Sequence, residues 1–123
     1  MEPWDSAHSV PALLRAHDLR PRRSLGQNFL VDRAALARIA AAAALAPHDT
    51  VVEVGAGTGT LTRLLAAGAG RVIAVELDDR LVDLLRGVVA DLPHVEIVHG
   101  DVLSLPALDL PHLGYKLVGN LPY

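Results

Sequence analysis

The feature that most constrains the fold of this chain is a glycine-rich turn between a strand pattern and a helix pattern. The apolar run at residues 51–54 predicts a short buried strand, and residues 61–67 have the apolar spacing of a helix. Between them the sequence reads G-x-G-x-G, from Gly55 to Gly59. Glycine adopts positive φ without strain and lets a ligand approach the backbone closely. This arrangement predicts a strand–turn–helix unit that borders a ligand site.

The alternation of strand and helix patterns continues along the chain. Strands that alternate with helices form parallel sheets with right-handed crossovers. We therefore predict an α/β fold with a Rossmann-like parallel sheet that stops after its fourth strand. The other predicted strands are residues 72–76, 95–98 and 115–118, and the other predicted helices are residues 9–17, 33–45 and 78–90.

Composition and charge exclude several classes of protein. A chain of 123 residues forms one domain at most. Its lack of cysteine excludes disulfides and thiolate metal sites, and its six histidines are scattered without ligand spacing, so we predict no metal. A net charge of −3 argues against nucleic-acid binding by bulk charge alone. With no signal-peptide pattern and no apolar run of membrane-spanning length, we expect a cytoplasmic protein with no membrane partner.

Polar residues follow the predicted strands at their carboxyl ends, where open α/β sheets bind ligands. Glu76 ends the second strand about 20 positions after Gly55, the spacing at which such folds place an acid on ribose hydroxyls. Asp101 follows the third strand, and its carboxylate suits an adenine amino group. Because Thr60 replaces the third glycine of the dinucleotide fingerprint, a pyrophosphate site and a nicotinamide oxidoreductase are disfavoured.

The most specific motif lies at residues 120–123, Asn-Leu-Pro-Tyr. It resembles the Asn-Leu/Ile-Pro-Tyr/Phe signature of ribosomal RNA adenine dimethyltransferases. Residues 24–30, SLGQNFL, resemble the opening motif of the same family, and residues 51–62, VVEVGAGTGTLT, resemble its cofactor loop. The resemblance covers nearly all of the chain beyond Leu19, in the family's order and approximate spacing.

The resemblance implies a Rossmann-like methyltransferase fold that uses S-adenosylmethionine. It implies an enzyme that dimethylates the exocyclic amine of adenine in ribosomal RNA, of the type that acts on 16S rRNA in the immature small subunit. Residues 1–49 would form a helical lid segment with a cofactor-contacting loop, and residues 50–123 the first half of the methyltransferase domain. The implied cofactor contacts are Asn28, Leu30, Gly55, Gly57, Glu76, Asp101 and Asn120.

The resemblance places the chemistry at residues 120–123. Asn120 and the backbone carbonyl of Leu121 would accept the two N–H groups of the target amine. Pro122 would hold that carbonyl in place through its fixed φ, and Tyr123 would stack on the base. An adenine must be unpaired or flipped out to reach such a pocket. Because the sulfonium is already an activated methyl donor, positioning for in-line attack is the main contribution expected of the protein.

Two alternatives remain open at this point. A large-subunit methyltransferase of the macrolide-resistance kind has the same chemistry, although Leu121 favours the small-subunit type. The chain could instead bind cofactor or RNA without turnover. Family members are about twice as long and continue into a helical domain, which we expect to be absent here. We therefore expect the chain to bind cofactor weakly, to leave RNA unmethylated and to self-associate through the edge of its fourth strand.

Overall fold

The computed structural model describes residues 33–101 and 114–119. The helix predicted at residues 9–17 lies outside them. The described elements are α1 (Arg33–Ala42), β1 (Thr50–Val54), α2 (Thr60–Gly68), β2 (Arg71–Glu76), α3 (Asp79–Val88), β3 (Val95–His99) and β4 (Lys116–Gly119). Their order confirms the predicted alternation of strands and helices. Among the described helices, none is long and apolar enough to cross a membrane.

The strands form one four-stranded sheet in the order β3-β2-β1-β4. All three neighbouring pairs are parallel, and Val52 of β1 lies opposite Ile73 of β2 and Leu117 of β4. The predicted α/β fold with a parallel sheet is confirmed. Because the strands are parallel, their carboxyl ends all lie at one edge of the sheet.

Helices cover one face of the sheet. Val51 and Val72 on that face belong to one buried cluster with Leu36 of α1 and Leu65 of α2, and Ala74 on the same face packs with α3. Alternate residues of a strand point to opposite faces, and a third buried cluster lies on the other face. Its members are Val52, Ile73 and Val75. Burial on both faces explains why β1 and β2 read as nearly continuous apolar runs.

The helix predicted at residues 33–45 ends earlier, at Ala42. Ala44 has a positive φ of 50°, which a continuing helix does not allow. Lys116 of β4 donates from Nζ to the carbonyl oxygens of Ala43 at 2.8 Å and Ala44 at 2.7 Å. The carbonyls at the end of α1 therefore have a partner distant in sequence, which local apolar spacing does not reveal.

The other two described helices also have distant side chains at their C-terminal carbonyls. The ring Nε2 of His94 lies 2.8 Å from the carbonyl oxygen of Ala66 in the last turn of α2. Arg63 donates from Nη1 to the carbonyl oxygen of Val88, the last residue of α3, at 2.8 Å. Donors at this end satisfy carbonyls that lack an intrahelical partner. A cation there also interacts favourably with the partial negative charge of the helix dipole. At the start of α3, Asp78 is the N-cap and accepts from the backbone N–H of Arg80 at 2.9 Å.

Candidate functional site

The glycine-rich turn after β1 is fixed against β2. Gly55, Gly57 and Gly59 have φ values of 72°, 59° and 82°, a region that residues with a Cβ rarely adopt. The backbone N–H groups of Gly55 and Ala56 both donate to the carbonyl oxygen of Val75, at 2.9 and 3.1 Å. The turn therefore starts from a defined position at the carboxyl edge of the sheet.

The first and last glycines of the turn have different surroundings. A Cβ built on Gly59 would lie 2.8 Å from Cδ1 of Leu85 and 3.0 Å from Cγ1 of Val88, so this glycine permits close packing on α3. A Cβ on Gly55 would meet nothing within 4 Å. Gly55 is therefore the glycine beside open space, as a ligand-contacting position requires.

Glu76 is buried beneath this edge, with 6% of its surface exposed. One carboxylate oxygen, Oε1, accepts from the backbone N–H of Gly57 at 2.6 Å, and Oε2 accepts from that of Asp78 at 2.8 Å. A carboxylate has about four acceptor positions, so each oxygen retains capacity for a further donor. The acid thus joins the glycine turn to the start of α3, a contact that the sequence did not reveal.

Asp101 follows β3 at the same edge. Glu76 and His99 are register partners, and the backbone N–H of Gly100 donates to the carbonyl oxygen of Glu76 at 2.9 Å. Asp101 is the next residue and is exposed. Its position relative to Glu76 is the one that the parallel arrangement predicts.

The structure brings Gly55, Gly57, Glu76 and Asp101 together at the carboxyl edge of the sheet. The fourth strand ends at the same edge, because Gly119 is the register partner of Val54. The remaining predicted site residues lie outside the described part of the chain: Asn28, Leu30, Asn120, Leu121, Pro122 and Tyr123.

Sequence reasoning assigned no role to Glu53, a buried acid behind the glycine turn. Glu53 is 1% exposed on β1, and Thr62 of α2 donates from Oγ1 to its Oε1. Burial raises the pKa of Glu53 to about 8, the hydrogen bond from Thr62 opposes this, and the negative charge of Glu76 adds to it. Near neutral pH the carboxyl group is therefore mostly protonated. The signal in the sequence is an acid inside an apolar strand, Val-Val-Glu-Val.

Sequence reasoning also missed Leu77, which follows Glu76 directly. Its surface is 50% exposed, although it lies next to a buried strand. The ring Nε2 of His99 lies 3.2 Å from the carbonyl oxygen of Leu77, which holds the ends of β2 and β3 together. The edge therefore presents an apolar side chain beside its polar groups, a combination found in small-molecule sites.

A family model for ribosomal RNA adenine dimethylase matches residues 19–123. The chain belongs to this family. Among curated relatives of this dimethylase family, ribosomal RNA small subunit methyltransferase A of Geobacter metallireducens is 50% identical over 116 residues. That match covers 89% of this chain and 42% of the relative, so the chain spans about two fifths of the length of the curated relatives it matches.

Solved structures show the same likeness. The 23S rRNA methyltransferase ErmE is 42% identical with a TM-score of 0.70, over 78% of this chain and 38% of that one. A dimethyladenosine transferase from Plasmodium falciparum is 27% identical with a TM-score of 0.67, over 78% and 34% of the two chains. The described sheet is therefore the Rossmann-like methyltransferase fold of the dimethylase family.

Proposed function

We propose that this chain is the cofactor-binding part of an S-adenosylmethionine-dependent enzyme that dimethylates adenine in 16S ribosomal RNA. The observation that supports this most is the arrangement at the carboxyl edge of the sheet. The buried carboxylate of Glu76 lies between the glycine turn and the start of α3, with open space beside Gly55 and with Asp101 two residues beyond the end of the neighbouring strand β3.

These residues fit the nucleoside half of S-adenosylmethionine. The remaining acceptor capacity of Glu76 suits the two ribose hydroxyls, and the carboxylate of Asp101 suits the adenine amino group. Leu77 offers an apolar surface for the face of the ring. An acid at the ribose also disfavours ligands with a 2′-phosphate, because two negative charges would meet there.

The glycine turn fits the amino-acid half of the cofactor. Its last residue, Gly59, is the N-cap of α2 and provides no side-chain hydrogen bond to the first turn of the helix. Helix N-termini carry a partial positive charge and attract carboxylates. We therefore assign the cofactor carboxylate to this region, near Gly55 and Gly57, with Asn28 and Leu30 as further contacts from the N-terminal segment.

When bound, the cofactor supplies a methyl group on a sulfonium, which needs no further activation. The residues after β4 then orient the acceptor: Asn120 and the carbonyl of Leu121 accept the two N–H groups of the adenine amine. Pro122 restricts the backbone there, and Tyr123 stacks on the base. The support for these roles is the family motif and the end of β4 beside β1.

The proposed substrate is the 16S rRNA of the immature small subunit, in the cytoplasm. Curated relatives named ribosomal RNA small subunit methyltransferase A support this choice. The likeness to the 23S rRNA methyltransferase ErmE favours a second candidate, methylation of large-subunit RNA.

We further propose that the chain self-associates through β4. Two exposed apolar side chains support this proposal: Leu117 on β4 and Tyr115 just before it.

The cofactor site is tested by isothermal titration with S-adenosylhomocysteine. Glu76→Gln and Glu76→Ala should weaken binding by about 100-fold or more, because charge-assisted hydrogen bonds each contribute roughly 1.5–3 kcal/mol. Glu96→Gln is the matched control, since Glu96 is an exposed acid on β3 paired with Arg71. Wild-type affinity in both Glu76 variants would contradict the proposed site.

The substrate is tested by methyl transfer to unmethylated small and large ribosomal subunits. For the chain extended to the length of its curated relatives, the proposal predicts labelled dimethyladenosine in 16S rRNA and none in 23S rRNA, whereas the chain by itself should leave both RNAs unlabelled. Label in 23S rRNA alone would favour the second candidate. If the extended protein binds cofactor but labels neither RNA, the remaining interpretation is a binding protein without turnover.

A further inference from the structure

We propose that Glu53 is a positioning residue for the cofactor: its hydrogen bond with Thr62 joins β1 to the first turn of α2 and thereby fixes the glycine turn between them. This inference rests on the proposed function, because the turn matters for binding only if a cofactor binds there. Neither residue belongs to the predicted contacts of the cofactor or the RNA.

The position of the pair relative to the turn is the first argument. Glu53 is the last residue but one of β1, and Thr62 is the third residue of α2. The two lie nine positions apart, and the whole turn from Gly55 to Gly59 lies between them. Both are buried, with exposures of 1% and 0%. The hydrogen bond therefore closes the base of the turn in a region without competing water.

The other contacts of the turn join it to the neighbouring strand β2. The amides of Gly55 and Ala56 reach Val75, and the amide of Gly57 reaches Glu76, so these contacts hold the turn against β2. The pair of Glu53 and Thr62 instead joins the two elements that the turn connects. Without it, the start of α2 can shift along β1, and the Gly57 amide shifts relative to Glu76.

The raised pKa of the buried Glu53 is the second argument. Thr62 donates to Glu53, and the charged group that faces Glu53 from the neighbouring strand is Glu76. Both burial and this like charge favour the protonated form of Glu53. In that form it adds no second negative charge beside the acid that accepts from Gly57. Two carboxyl groups in different environments can in this way have different roles.

Substitutions at Thr62 test the inference most cleanly. Thr62→Val keeps the shape and removes the hydroxyl, and Thr62→Ser keeps the hydroxyl. The destabilisation control is Val72→Ala, a buried position at the opposite end of β2 from Glu76. Affinity for S-adenosylhomocysteine is measured by titration well below each unfolding midpoint, and exchange of the Gly57 amide is followed by NMR in the same proteins.

Thr62→Val should weaken binding by about tenfold and speed exchange at Gly57, as expected for loss of one buried hydrogen bond. Thr62→Ser should keep most of the wild-type affinity and most of the slow exchange at Gly57. Glu53→Gln should also keep most of both properties, because its amide oxygen can still accept from Thr62. Val72→Ala should lower stability but change neither readout. Thr62→Ala replaces the valine variant if that variant does not fold.

The outcomes separate this inference from the proposed function. If the wild-type protein does not bind S-adenosylhomocysteine, the proposed function fails and the cofactor-positioning role is overturned with it; exchange at Gly57 then shows whether the turn itself is still held. If the wild type binds and Thr62→Val binds equally well, the inference alone is overturned. Equal exchange at Gly57 in Thr62→Val and wild type overturns it as well.

Discussion

The two central strands, β1 and β2, and the outer strand β4 differ in burial and in the number of neighbouring strands. On β1 and β2, Val51, Val52, Val72 and Ile73 have at most 1% of their surface exposed. On β4 burial alternates, and Leu117 is 58% exposed. Strand β4 has one neighbour in the described sheet, β1, whereas β1 and β2 each have two.

This difference divides the candidate site into two parts. The part after β1 and β2 is fixed by contacts on several sides, which include backbone donors to Val75, donors to Glu76 and packing of Gly59 on α3. Among the described residues, the part after β4 is held by one ladder with β1, by the contacts of Lys116 with the end of α1 and by the packing of Val118 on the core cluster. The proposed cofactor contacts therefore lie beside the core, and the motif at residues 120–123 follows a strand that has fewer contacts within the described part of the chain.

The largest expected effect is the pH dependence of stability caused by Glu53 in the central part. The ordinary pKa of a glutamate carboxyl group is 4.5, and burial in the folded protein raises the pKa of Glu53 to about 8. Between these values the folded state keeps a proton that the unfolded state has lost. The free energy of unfolding should therefore fall by about 1.4 kcal/mol per pH unit in this window, and no further above it.

Glu53→Gln should abolish this fall, because glutamine does not titrate. Urea denaturation near pH 5 and near pH 8 should give a decrease about 4 kcal/mol larger for wild type than for the variant, summed over about three pH units. Glu96→Gln, at an exposed acid, is the control and should follow the wild type. Parallel curves for wild type and Glu53→Gln would mean that Glu53 titrates normally.

Gly59→Ala should lower the free energy of unfolding by about 3 kcal/mol. Alanine in the left-handed region costs about 1–2 kcal/mol, and overpacking against α3 costs about 1–3 kcal/mol. Its φ is 82°, and the new Cβ would lie 2.8 Å from Leu85. Gly87→Ala is the control within α3, where a Cβ meets nothing within 4 Å, and it should stabilise by up to about 1 kcal/mol. Chemical denaturation measures both. A loss at Gly59 below about 1 kcal/mol would show that the turn relaxes away from α3.

Lys116→Met should lower the free energy of unfolding by about 1 kcal/mol. The substitution removes the donor to two carbonyls at the end of α1, and it also removes a partly exposed ion pair with Asp49. Arg86→Met removes a more exposed ion pair with Asp83 and should change stability by less than about 0.5 kcal/mol. Thermal unfolding of the two variants compares them directly. Equal losses would remove Lys116 as the link between β4 and α1.

The smallest expected effect is at the exposed face of β4. Leu117→Thr should change stability by less than about 0.5 kcal/mol, while Ile73→Val at the centre of the sheet should cost about 1 kcal/mol. Denaturant midpoints of the two variants test the contrast between edge and centre. A loss at Leu117 as large as that at Ile73 would mean that another surface covers β4 in solution.

Most of the architecture could be predicted from the sequence because its signals are local. The strand–turn–helix pattern around Gly55 predicted β1 and α2, and parallel strands placed Glu76 and Asp101 at one edge, as the structure confirms. Helix ends were less accurate. The end of α1 was predicted at Leu45 and lies at Ala42, because its last carbonyls are bound by Lys116 from β4.

The sequence by itself determined the fold class, the glycine turn and the acids at the strand ends, since each depends on residue type and short spacing. Tertiary structure alone decided the raised pKa of Glu53, which comes mainly from burial, with a smaller contribution from the charge of Glu76. It also decided that Glu76 holds the amide of Gly57. Both depend on contacts between elements. The protonation of a carboxyl group depends on its tertiary surroundings, whereas the positive φ that a glycine allows follows from its own lack of a Cβ.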